Sequence, residues 1–307
     1  MQTSTAKPRL APLEVFDARI VQTPIQGLLR NMDCDLVRLL NQSMSSRDPE
    51  AERKFSLFLM MLRFTKNSYE AVSFLCSDAE DAPKRKREFV LILPPVNRQL
   101  LDLLFTLVFM LDDFPARSLA YELSGYRQLR EEYDKFHNRY GADPKWQTRF
   151  EELQELQQKM ERYLPITAQQ KADPALIPYW RAPYKLKLKA TTSKPFMEFL
   201  ERWLYGETSA QAHLNAAGLF SVAEFVLSDL LPDEDERKMI SSNRNLERFK
   251  FRHFSRLLIT VLAIASEVNH FCQLKSRESL CQLWVMLGGY VPEAVDVYKQ
   301  RYQAILG

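Results

Sequence analysis

Apolar residues recur at helical spacing along most of this chain, and that periodicity constrains the fold more than any other feature. Ile25, Leu28, Leu29, Met32, Leu36, Leu39 and Leu40 keep the three-and-four rhythm of one helix face. Asp48-Pro49-Glu50 then supplies an N-cap, a proline at the first helical position and an early acid, so a second helix runs to about Cys76. Its FSLFLMML stretch is apolar nearly all round, which predicts a central position. Pro94-Pro95 opens another very apolar helix ending near Asp113, and Pro115 begins one that stops at Gly141. Asp143-Pro144 repeats the cap-and-proline start, and Trp146, Phe150, Leu153, Met160 and Leu164 then share a face.

Residues 165–195 break the rhythm with five prolines and a KLKLK alternation, a long excursion of the kind that carries function or disorder. Helices resume at Pro195 and continue to about Leu231, and a long one spans about Ser242 to Phe271. A terminal pair split at Gly288-Gly289 closes the chain. The expected fold is all-α: a multi-helix bundle or array of about nine or ten helices with one long Pro-rich excursion. Residues 1–24, with Pro8, Pro12 and Pro24, read as an N-terminal arm, and residues 25–307 as a single helical domain.

Composition narrows the chemistry. The 307 residues suffice to bury a core without disulfides or structural metal. Only 8 are glycine, and neither GxGxxG nor GxxxxGK[ST] occurs, so glycine-rich nucleotide loops and their cofactors are not expected. Basic residues number 42 against 39 acidic ones, a net charge of +3, which makes any nucleic-acid affinity the work of a local patch. Cys34, Cys76, Cys272 and Cys281 form no CxxC pair and read as reduced, buried thiols of a cytoplasmic protein, with no metal site. The opening MQTSTAKPRLAPLE has no apolar core and does not read as a secretory signal. The most apolar uncharged runs, Leu103–Leu111 and Leu257–Ser266, and the longer but more polar Thr208–Ala223 fall short of the roughly twenty predominantly apolar residues of a membrane span and are expected to be buried helix.

Three groups of polar residues stand out. Arg98 and Asp102 sit one turn apart on the helix that also carries Leu100, Leu101, Leu103, Leu104 and Phe105. A charge buried there is costly unless paired and hydrogen-bonded, so the two read as a structural ion pair or as part of a site. Tyr205, Ser209 and His213 follow at steps of four and would stack along one face, a phenol, a hydroxyl and an imidazole together. Imidazole works as acid or base near neutrality, although a histidine so placed also fits a satisfied core position. Arg244, Arg248, Arg252 and Arg256 recur every fourth residue as a stripe, either a solvated basic face or a phosphate-binding one.

Arg248–His253 and Arg130–His137 also fit R-x4-6-H, the ribonuclease motif of the higher-eukaryote and prokaryote nucleotide-binding (HEPN) helical domains. On a regular helix Arg248 and His253 point roughly 140° apart, and the helix of Arg130 and His137 looks surface-exposed.

On Arg98-x3-Asp102 and Tyr205-x3-Ser209-x3-His213 the chain resembles a family of bacterial all-helical proteins distantly similar to HEPN domains. That family carries Arg-x3-Glu on an apolar helix and Tyr-x3-Ser-x3-His on a later one; here Asp102, one methylene shorter, stands in place of the glutamate. The likeness covers about residues 90–230. It implies that the two polar clusters meet between helices, Arg98 and Asp102 orienting His213 with Ser209 and Tyr205 beside it. It further implies RNA cleavage without metal, by homodimers in bacterial defence or toxin systems. The competing expectation is a non-catalytic helical interaction module bound to a protein partner, its polar cluster structural.

Overall fold

The computed structural model describes residues 18–76, 91–180, 193–206 and 243–307. Among these the only regular secondary structure is helical. Helix α1 spans Ala18–Ser46, α2 Pro49–Cys76, α3 Leu93–Leu111, α4 Phe114–Tyr140 and α5 Gln147–Tyr163. The short α6 is Ala168–Ala172 and α7 is Lys194–Leu200, which passes into a π-helical turn over Glu201–Tyr205. Helix α8 covers Asn243–Cys272, α9 Arg277–Tyr290, α10 Pro292–Val297 and α11 Gln303–Leu306. No described helix is long and apolar enough to cross a membrane.

Proline at the first turn marks the starts of α2, α4, α7 and α10, and side-chain caps mark α2 and α6. Asp48 accepts the Ala51 N–H at 3.0 Å, starting α2 one turn after α1 ends. Helix α1, however, begins at Ala18 and runs through Pro24, so part of the expected arm is helix. The Gly288-Gly289 pair does not split the terminal helices. It lies inside α9, and the break comes at Val291-Pro292, where proline starts α10. The excursion after residue 164 contains a helix of its own, α6, whose N-terminus is closed by a reciprocal box between Thr167 and Gln170.

The chain divides into two compact units. The first comprises Met1–Asp35, Met61–Leu101 and Trp203–Gly307. Its core is built on α8, whose residues Leu257–Asn269 are all buried. Trp284 of α9 donates its indole N–H to Ser266 Oγ at 3.0 Å and stacks on Tyr302 at 5.1 Å between ring centroids. Arg301 closes a two-bond fork on the buried Glu267. Helix α2 buries Leu57, Phe58, Leu59, Met61 and Leu62 of its FSLFLMML stretch, as expected of it, and leaves Phe64 and Phe74 further along exposed.

The second unit comprises Leu36–Met60 and Asp102–Arg202. Here α4 and α5 pair antiparallel, as shown by the rungs Tyr126 to Glu161, Arg130 to Gln157 and Gln154 to Tyr133 at 2.7–3.1 Å. The excursion folds back over α4: Arg127 donates to the Ile177 carbonyl at 2.7 Å, and Ser124 Oγ accepts the Trp180 N–H at 2.6 Å. Ile177 is fully buried against Tyr126 and Leu164.

Candidate functional site

Arg98 lies in the second turn of α3 and is half-buried. Its guanidinium carbon sits 3.6 Å above the centroid of the Tyr205 ring, the last residue of the π-helical turn. Contact this close is a cation–π pair, worth about 0.5–2 kcal/mol according to its desolvation. It brings together segments more than one hundred residues apart in sequence, each carrying one of the two short motifs. Wide turns of this kind occur frequently at functional sites, but a second one at Tyr298–Tyr302, between α10 and α11, carries no motif, so the turn alone marks no site.

Asp102 is exposed, not buried. Helix α3 keeps a narrow stripe, Pro95, Gln99 and Asp102, in solvent, so this carboxylate avoids the desolvation cost expected for it. The neighbouring Asn97 is fully buried and donates to the His253 carbonyl at 2.7 Å, tying α3 to α8 beside Arg98. Ser209 and His213 lie outside the described residues.

The arginine stripe is not one solvated face. Arg252 is exposed, Arg256 is only 6% exposed, and the side chains of Arg244 and Arg248 lie outside those described. One arginine of the four therefore presents itself to solvent within the described side chains.

The two R-x4-6-H matches separate cleanly. His253 is fully buried, and neither ring nitrogen makes a hydrogen bond. Burial, aided by Arg256 and Arg252, pushes its pKa down to about 3, so it is a neutral core imidazole and no acid–base group. His137 is exposed and meets Phe150 of α5 edge to face at 5.4 Å, while Arg130 is engaged with Gln157, so those two serve the pairing of α4 with α5. Of the cysteines described, Cys34 is exposed, which corrects the expectation of buried thiols throughout; Cys272 is buried and Cys281 half-buried, each a free thiol.

A feature with no motif to announce it occurs in the second unit. A cavity of about 600 Å³ opens among α1, α2, α4, α5 and Trp180. Its walls include three methionines, Met44, Met60 and Met160, together with the ion pair Arg53–Glu122. Arg53 and Glu122 are separated by 69 positions in the sequence and share no spacing pattern; only the methionine-rich composition of the surrounding helices hints at an adaptable wall. No family model, curated protein or solved structure matches the chain.

Proposed function

We propose that the chain is a HEPN-like, metal-independent RNA-cleaving protein of a bacterial defence or toxin system, with its centre at Arg98, Tyr205, Ser209 and His213. The supporting observation is the stacking of Arg98 on Tyr205, which joins the two motif-bearing segments. In the proposed reaction the 2′-hydroxyl oxygen of the substrate attacks the adjacent phosphorus and the P–O5′ bond breaks. A 2′,3′-cyclic phosphate and a 5′-hydroxyl result. His213 accepts the 2′-hydroxyl proton, water supplies the proton to the departing 5′ oxygen, and Arg98 stabilises charge gathering on the phosphoryl oxygens. Stacking engages the face of the guanidinium whereas phosphate recognition uses its edge, so the two roles are compatible.

The test pairs a thermal melt with RNA cleavage in chelator for wild type and His213→Ala. The expected outcome is lost cleavage with a nearly unchanged melting temperature. A structural histidine would instead show itself as a loss of about 1–3 kcal/mol of stability from a stranded hydrogen-bond partner. That second outcome belongs to the competing reading, a non-catalytic helical interaction module.

A further inference from the structure

We propose that the cavity of the second unit is a binding site for a monocarboxylate amphiphile, its apolar body held by the methionine-rich wall and its carboxylate by Arg53. This site is independent of the one proposed for RNA.

The size of the cavity, about 600 Å³, falls within the range of small-molecule sites. Its lining is largely apolar, and Met44 and Met60, 54% and 61% exposed, flank it with long unbranched side chains that conform to varied shapes. Gly125 on α4 keeps the wall facing Met160 open: a Cβ placed there would first meet the Met160 methyl, at 3.9 Å.

The polar part of the wall is an ion pair that does not close. Arg53 Nε stands 3.5 Å from Glu122 Oε2, and although both atoms are sealed from solvent neither is in a hydrogen bond. Arg63 on Asp33 and Arg127 on Glu131 close at 2.7 Å, while Arg30–Glu70 and Arg117–Asp112 stand open at 3.9 and 3.6 Å; Arg53–Glu122 differs from these open pairs in lining a cavity with both facing atoms buried. A planar guanidinium with five donors is matched to a carboxylate fork, and Glu122 leaves that capacity underused.

The formal charges of the lining balance, so the choice of an acid over an amine or an alcohol rests on the open Arg53–Glu122 pair. The charged side chains lining the cavity are Glu52 and Arg53 of α2, Glu122 of α4 and Lys159 of α5. Lys159 is exposed and already holds Glu155 at 2.7 Å. Burial raises the Glu122 carboxyl to about 7, against the opposing pull of Arg53. Tyr121, its neighbour on α4, is likewise pushed up by burial and stays neutral. Glu122 therefore takes a proton cheaply near neutrality, and Arg53 is then left to an incoming anion. A cationic head would meet Arg53 without that relief.

The experiment is calorimetric titration of the full chain with decanoate, decanol and decylammonium, each below its micelle concentration. Saturable one-to-one binding of decanoate is expected, with decanol and decylammonium weaker by about tenfold or more, the worth of one charge-assisted hydrogen bond. Arg53→Met alone strands Glu122, so the variant to read is Arg53→Met with Glu122→Met, which removes both partners and leaves the wall apolar. It should lose decanoate binding by a similar factor while still taking up decanol. Gly125→Leu, on an open helix position, should block both by filling the cavity. Absence of decanoate binding, equal affinity for all three probes, or unchanged decanoate affinity in the double variant would each overturn the proposal, whatever the chain does to RNA.

Discussion

His253 shows how far a single residue's environment overrides its sequence context. By spacing it belongs to an R-x4-H match; by burial it is a neutral ring 4.3 Å from that of Phe249. Its folded pKa near 3 lies below the ordinary value of 6.5. Between those values the unfolded chain binds a proton that the folded chain refuses, so stability is full above about pH 6.5 and falls as acid is added. The slope reaches up to about 1.4 kcal/mol per pH unit. His253→Leu should flatten that part of the acid limb in urea melts from pH 4 to 7, and at pH 7 it should be no less stable, because it removes two buried nitrogens that lack hydrogen bonds. An acid slope undiminished in the variant would show that other groups set it. Spacing pairs Arg98 with Asp102, whereas a neighbour the structure gives its guanidinium is the Tyr205 ring, which only the family resemblance had set beside it. Asp102 misled, since a helix read as uniformly apolar keeps a one-residue-wide exposed edge that only its packing defines.

At the scale of elements, caps and prolines made most helix ends readable, because Asp48, Asp143 and Pro115 act on backbone groups within a few residues of themselves. Glycine was less informative. Helix α1 ends with Arg47 and α8 with Gln273 in left-handed conformation, φ 54° and 52°, with no glycine to mark either stop. Conversely, Gly288-Gly289 marks no stop at all. A Cβ on Gly288 would lie 2.8 Å from Val295 Cγ2, so this glycine lets α10 fold closely back on α9, whereas Gly289 has nothing within 4 Å. Gly289→Ala should therefore stabilise by about 0.5–1 kcal/mol through helix propensity. Gly288→Ala should fail to show that gain until Val295→Ala is added. Equal gains from the two single substitutions in denaturant melts would refute the close-approach account.

Across the whole chain, helical class was legible because periodicity repeats in every segment, but the division into two units was not. Each unit is assembled from separated stretches, such as Met61–Leu101 with Trp203–Gly307, and local spacing carries no record of which stretches pack together. The cavity with Arg53 and Glu122 escaped the sequence for the same reason, and the meeting of Arg98 with Tyr205 was implied by the family resemblance and not by any local spacing. The claim that this meeting marks a catalytic centre is tested most directly by the ends of the RNA it would produce. Folded wild-type chain incubated with varied RNAs in chelator should release fragments ending in 2′,3′-cyclic phosphate, and Arg98→Ala should lower that rate by about 100-fold or more, as for loss of one group stabilising transition-state charge. Intact RNA after incubation with well-folded wild type, or undiminished cleavage by Arg98→Ala, would contradict it.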